Sequence, residues 1–167
     1  MSNSDGVASL GDLRPALVRY LARYTGDPDL AEDLTQEAFV RLDERPPAKN
    51  TSLRGWLFTV ATNLARDHGR VERGRRLLLA TARHRVPVAW QPPDPATLAE
   101  RADLRVRVRA ALATLSEKER TALLLREEGF SHREIAEAVD TTTKSVGTLL
   151  ARALAKAGRY LEKEMDR

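Results

Sequence analysis

No cysteine occurs among the 167 residues, so disulfides and thiolate metal sites are excluded, as suits a reducing cytoplasm. Aromatics are scarce, with two tryptophans, three tyrosines and three phenylalanines. The polar N-terminal segment MSNSDGVAS lacks the charged-then-apolar pattern of a signal peptide. The apolar run at residues 77–80 is far too short to span a membrane. The three histidines, His68, His84 and His132, lie far apart, and none has a partner at metal-ligand spacing. Neither a phosphate-cradling glycine loop nor a nucleophile elbow is found. The acids Glu32, Asp33 and Glu37 lack the Glu-x-x-His companion of a carboxylate metal site. No enzyme, metal or cofactor is expected.

What is abundant is Ala, Leu and Arg, a helical composition, with a net charge of +4. That charge suggests an anionic partner, and its distribution says more. From residue 27 to 44 the acids Asp27, Asp29, Glu32, Asp33, Glu37, Asp43 and Glu44 face only Arg41. From residue 66 to 85 the arginines at 66, 70, 73, 75, 76, 83 and 85 face only Asp67 and Glu72. An acidic helix followed by a basic arm implies two contact surfaces.

The stretch 51–76 shows how the basic arm begins. Leu53, Leu57, Val60 and Leu64 fall at helical spacing, widened by Trp56 and Ala61. Another face carries Thr59, Asn63, Arg66, Arg70 and Arg73, side chains suited to base edges and phosphates. A solvated helix face fits the same pattern equally well.

The periodicity predicts an all-α chain of two small helical domains. After a frayed tail at 1–9, a first helix spans about 12–24, with Pro15 in its first turn. Asp27-Pro28 opens a second helix, which stops at Pro46-Pro47. A loop leads to the Thr51 or Ser52 cap of the third. The first domain covers 10–84. Residues 85–98, with four prolines and Trp90, read as a semi-extended linker; the indole either docks on a neighbouring domain or binds something. The second domain, 99–167, starts with a helix burying Leu104, Val108, Ala111 and Leu112. Ser116 with Glu119, and Ser131 with Glu134, form two capping boxes. Between them runs a helix with Ala122, Leu123 and Leu125 inward.

Residues 131–152 fit a helix-turn-helix. Ile135 and Ala136 anchor a short helix, 139–141 turn, and Thr142 caps a longer helix held by Val146 and Leu150. Lys144, Ser145, Thr148 and Arg152 would then face a major groove, with Arg133 on the helix before. A helical hairpin packed for stability alone has the same pattern.

Three segments, AEDLTQEAFVRL (31–42), LRGWLFTVATNLARDHGR (53–70) and LSEKERTALLLREEGFSHREIAEAV (115–139), together resemble the bacterial extracytoplasmic-function sigma factors. Their order and the proline-bearing linker match that family over nearly the whole chain. The resemblance implies a promoter-recognition subunit of RNA polymerase. Its first domain would grip the polymerase clamp helices and the −10 element, its second the −35 element and the flap. An anti-sigma factor would cover the same surfaces in the free protein.

By the same resemblance, Asp33, Gln36, Glu37 and Arg41 match the polymerase-binding helix. Asn63 matches the asparagine placed near the captured −10 base. Lys49, Asn50 and Thr51 lie where the family's loop receives a flipped-out base, which must leave its stack to be read. Trp56 and Phe58 are the aromatics at hand for stacking, although Trp56 also belongs to the apolar stripe. Two departures stand out: Gly147 and Leu149 occupy positions where the family commonly has basic residues, and Asp140 replaces the usual turn glycine. A stand-alone helix-turn-helix repressor and a helical scaffold protein are the rival readings.

Overall fold

The computed structural model describes residues 10–80 and 95–165, and every element in them is helical. The first three helices are α1 (Leu10–Thr25), α2 (Pro28–Glu44) and α3 (Leu53–Ala80). Helix α1 starts two residues earlier than the periodicity predicts, so Pro15 lies past its first turn. The ring's missing N–H leaves the Gly11 carbonyl without a helical partner, at an exposed end where water can serve. Gly26, at φ +76°, ends the helix, and Asp27 caps α2 by accepting from the backbone N–H of Asp29 (3.0 Å) and Leu30 (3.1 Å). Ser52 caps α3, its Oγ accepting from Gly55 N–H at 3.2 Å.

The three pack as one bundle. Leu13, Leu17, Tyr20, Leu21 and Tyr24 meet Ala31, Leu34 and Ala38 across α2, and Leu57, Phe58, Ala61 and Leu64 across α3. Trp56 is half-buried against this core. The Thr62 hydroxyl donates to the Phe58 carbonyl (2.7 Å), which leaves Tyr20 to donate to Thr62 Oγ1 at 2.7 Å. Complete burial holds the Tyr20 hydroxyl well above the usual phenol range.

Helices α4 (Pro95–Ala113), α5 (Glu117–Glu127), α6 (His132–Val139) and α7 (Thr143–Met165) form the second bundle. Residues 95–98, expected in the linker, begin α4, because Pro95 at its first position carries a φ already suited to a helix. Trp90 and most of the expected linker fall outside the described residues. Leu104 and Val108, expected inside, are exposed; among the described side chains of α4 the buried ones are Ala111 and Leu112, as expected. Residues 104–109 alternate apolar groups with arginine, and on a helix a period of two scatters those groups around the axis. Leu123, also expected inside, is half-buried; Thr121, Leu124 and Leu125 take the inner face of α5.

Both capping boxes form. Ser116 Oγ accepts from Glu119 N–H, and Glu119 Oε2 accepts from Ser116 N–H at 2.8 Å. The same carboxylate oxygen takes Lys156 Nζ of α7 at 2.9 Å. The Ser116 N–H and Lys156 hold this carboxyl below its ordinary value of 4.5, against the opposing pull of burial. A folded value below the unfolded one stabilises the protein above the unfolded value, and that stability is lost as pH falls through the folded one. Glu119→Gln is therefore expected to cost about 1–3 kcal/mol at pH 7, the scale of hydrogen bonds to a charged group. In urea titrations the gap to wild type should close as pH falls below 4.5. A gap that stays constant down to acid pH would assign the loss to packing.

The two bundles touch. Phe58 of α3 lies 4.9 Å, centroid to centroid, from Phe130 in the α5–α6 turn, and one buried cluster runs through both. Burial of Phe58, 1% exposed, removes it from the aromatics available for stacking on a base. The cause is tertiary, since Tyr20 covers one side of the ring (5.2 Å) and Phe130 another.

Candidate nucleic-acid interface

Helix α7 owes its start to Thr142, whose Oγ1 accepts from Ser145 N–H at 3.3 Å. The turn before it is tight because Asp140 takes the left-handed conformation, φ 53° and ψ 68°. An L-residue there costs about 1–2 kcal/mol. Three hydrogen bonds offset it: Asp140 and Thr141 N–H both donate to the Ala136 carbonyl, and Lys118 Nζ donates to the Asp140 carbonyl at 3.0 Å. Aspartate thus serves where glycine would be easier.

Ile135, Ala136 and Val139 of α6, and Val146, Leu150 and Ala153 of α7, are buried. Lys144, Ser145, Thr148 and Arg152 are left exposed. These four line one shallow groove together with Lys118, Thr141 and Leu149. Among the described residues no acid lines it, so Lys118, Lys144 and Arg152 set a positive potential over a polar, hydroxyl-bearing floor. Ser145 Oγ lies 2.7 Å from Thr142 Oγ1, which orients that hydroxyl. Arg133 sits apart from the groove on the exposed face of α6, with Nε 3.3 Å from Glu137 Oε1. Gly147 is exposed, and a Cβ there would meet open space, so nothing within the chain requires glycine at that position.

Lys118 joins this groove without any signal in the local sequence pattern. It stands in the first turn of α5, more than twenty positions before the groove's other residues and inside the Ser116–Glu119 capping box. Only the fold of α5 against the α6–α7 turn carries it there.

On α3, Thr59, Asn63, Arg70 and Arg73 are exposed, as their periodicity predicts. Arg70 Nη1 is 3.8 Å from Asp67 Oδ1, a loose surface pair. Arg66 differs: its side chain is only 19% exposed, its Nε pairs with Glu117 of α5, and its Nη2 donates to Thr121 Oγ1 at 3.5 Å. The ladder is broken at that rung. Lys49, Asn50 and Thr51 are exposed in the α2–α3 loop. Lys49 and Thr51 border a shallow recess walled by Leu42, Pro46, Pro47 and Leu53.

The acidic surface is on α2. Asp33, Gln36, Glu37 and Arg41 are all exposed, opposite buried Ala31, Leu34, Thr35 and Ala38. Gln36 Oε1 accepts from Arg14 Nη1 at 3.2 Å, and Arg41 Nε pairs with Glu37 Oε1 at 3.0 Å. Among the described residues, no cluster of three or more His, Asp or Glu could hold a metal ion, and no helix is long and apolar enough to cross a membrane.

A helix-turn-helix with a cationic groove, joined to a bundle with an acidic face, defines an all-helical protein of the helix-turn-helix class with two exposed surfaces of unlike charge. Comparisons with known proteins are specific about which. Residues 11–76 match the model of sigma-70 region 2, and residues 105–156 that of sigma-70 region 4. The ECF RNA polymerase sigma factor SigG of Mycobacterium tuberculosis is 33% identical over 163 residues, covering 84% of this chain and 44% of that protein. The ECF RNA polymerase sigma factor SigE of Mycolicibacterium smegmatis is 31% identical over 147 residues, covering 87% of this chain and 57% of that protein. The chain spans about half the length of these relatives. Among solved structures, the sigma factor RpoE of Bartonella quintana, crystallised with the anti-sigma factor NepR, is similar with TM-score 0.68 and 25% identity. That match covers 90% of this chain and 92% of the other. The chain belongs to the extracytoplasmic-function class of RNA polymerase sigma factors.

Proposed function

We propose that this chain binds core RNA polymerase and directs initiation at its own set of promoters, as a cytoplasmic, non-enzymatic subunit. The exposed α2 face (Asp33, Gln36, Glu37, Arg41) meets the clamp helices of the polymerase. Asn63, with Thr59 and the loop Lys49, Asn50 and Thr51, reads the opened −10 element, while Arg66, Arg70 and Arg73 hold its backbone. Lys144, Ser145, Thr148 and Arg152, with Arg133 at the edge, contact the −35 element, and the second bundle meets the flap. To this set the groove geometry adds Lys118 as a phosphate contact. An anti-sigma factor is the proposed regulator, supported by the likeness to RpoE, which was solved with one.

The observation that carries this reading is the presence of two separate exposed surfaces of unlike charge, on α2 and on α7. A stand-alone repressor needs only the second, and a scaffold needs neither.

Run-off transcription with core polymerase, with and without the chain, is the decisive test. Initiation that depends on the chain is the expected result; neither core binding nor initiation would overturn the reading. Asn63→Ala in the same assay should lower −10-dependent initiation about 5- to 100-fold, the worth of one good base contact. Core affinity should not change, because Asn63 is exposed and no packing depends on it. Equal loss of both would assign Asn63 to folding.

A further inference from the structure

We propose that Arg14 of α1 is a positioning residue for the polymerase-binding face, turning the Gln36 amide so that its Nε2 donor, and not its carbonyl oxygen, points toward the partner. Its part in polymerase binding rests on the function proposed above; the geometry at Gln36 stands by itself.

The turn at Gly26 folds α2 back along α1, so the start of α1 lies beside the middle and end of α2. Arg14 reaches across that seam and meets one stripe of α2, at i, i+4 and i+7. Its Nη2 lies 3.7 Å from Glu32 Oε2, its Nη1 donates to Gln36 Oε1 at 3.2 Å, and its guanidinium carbon is 5.8 Å from the centre of the Phe39 ring. Three contacts on one planar group fix its orientation. An arginine offers only donors, so the atom of Gln36 that faces it is the carbonyl oxygen. The other half of the amide, Nε2 with its two hydrogens, is therefore turned away from the guanidinium.

That arrangement decides what the α2 face offers. Glu32 and Glu37 are each matched by an arginine of this chain, Arg14 at 3.7 Å and Arg41 at 3.0 Å. Asp33 is exposed, and among the described residues no cation pairs with it. The face thus presents one unmatched carboxylate beside one amide donor. Its complement is a cation set next to a hydrogen-bond acceptor, a carboxylate or a carbonyl oxygen. Freed from Arg14, the amide can turn over, and with its carbonyl outward it would set acceptor against acceptor. Stability does not explain the contact. The side chains of Arg14 and Glu32 are 45% and 60% exposed, and ion pairs in that setting contribute little to folding.

Two measurements separate positioning from a merely structural role. In the isotope-labelled free chain, the heteronuclear NOE of the Gln36 side-chain amide should fall in Arg14→Ala, while backbone values along α2 stay unchanged. An unchanged side-chain value would overturn the positioning, whatever the polymerase does. In binding to core polymerase, Arg14→Ala should weaken affinity about 3- to 10-fold, the worth of one hydrogen bond. Arg14→Lys, which keeps a donor, should recover most of that loss. In a Gln36→Ala background the same Arg14→Ala change should cost less than about twofold, because the two residues act through one contact. A full loss in that background would mean that Arg14 touches polymerase itself, and the positioning role would fall. Gln36→Glu keeps an oxygen for Arg14 and exchanges the outward donor for an acceptor, so it should bind at least as weakly as Gln36→Ala. Wild-type affinity in that variant would overturn the outward donor. Failure of wild type to bind core polymerase sinks the function proposed above, while the amide NOE still decides the geometry at Gln36.

Discussion

Asp33→Lys combined with Glu37→Lys is expected to abolish binding of core RNA polymerase, with a loss of about 100-fold or more. Both carboxylates are exposed on one face of α2, and neither supports the core behind them. Glu37 does pair with Arg41 at 3.0 Å, yet that pair is half-exposed on each side and sits at i,i+4, a geometry worth about 0.3–0.5 kcal/mol. Folding therefore changes little. At an interface the same reversals act differently, since two like charges brought against a complementary surface cost several kcal/mol. Even about 2.8 kcal/mol corresponds to 100-fold in affinity. Pull-down or interferometry with core polymerase reads the effect, and a thermal melt of the free variant checks the fold. Retained binding would move the polymerase contact away from α2; a melt shifted by several degrees would mean that the face carries stability.

Much of this arrangement is legible without coordinates, and what is legible shares a cause. Caps, turns and apolar stripes depend on residues within a turn or two of each other. Asp27, Ser116, Ser131 and Thr142 therefore do in the fold what their neighbours imply. The helix-turn-helix follows from the same local rules, and the groove residues from the stripe they leave outside. What periodicity could not supply lies between elements far apart in sequence. Phe58 and Phe130 are separated by a proline-rich stretch, and no local pattern says that their rings meet. Arg66 reads as one more rung of a basic ladder, and only the approach of α5 distinguishes it from Arg70 and Arg73. Lys118 is recruited to the groove in the same way. On α4, Leu104 and Val108 fit a buried stripe by spacing alone, but they alternate with arginine and with Val106, which is 63% exposed, and no neighbouring element among the described residues covers that segment.

The strongest effect on stability is expected from Phe58→Ala. The ring is 1% exposed, with Tyr20 at 5.2 Å and Phe130 at 4.9 Å. Truncation removes its apolar area and leaves a cavity where α1, α3 and the α5–α6 turn converge. For a buried phenylalanine this costs about 3–5 kcal/mol, a large share of the roughly 5–15 kcal/mol that holds a typical domain folded. Denaturant titration should show a midpoint shifted strongly downward. The size alone does not say which neighbour matters, and a double-mutant cycle with leucine at each position separates them. Phe58→Leu and Phe130→Leu each keep most of the apolar volume, so the coupling left over isolates the ring–ring contact between bundles. Aromatic pairs of this geometry contribute about 0.5–1.5 kcal/mol beyond area, and contacting residues couple on that scale. A coupling near zero would mean that the rings do not meet in solution and that each phenylalanine stabilises only its own bundle. A coupling within that range places the two bundles in one cooperative unit, in which a change at α5 is felt at α3.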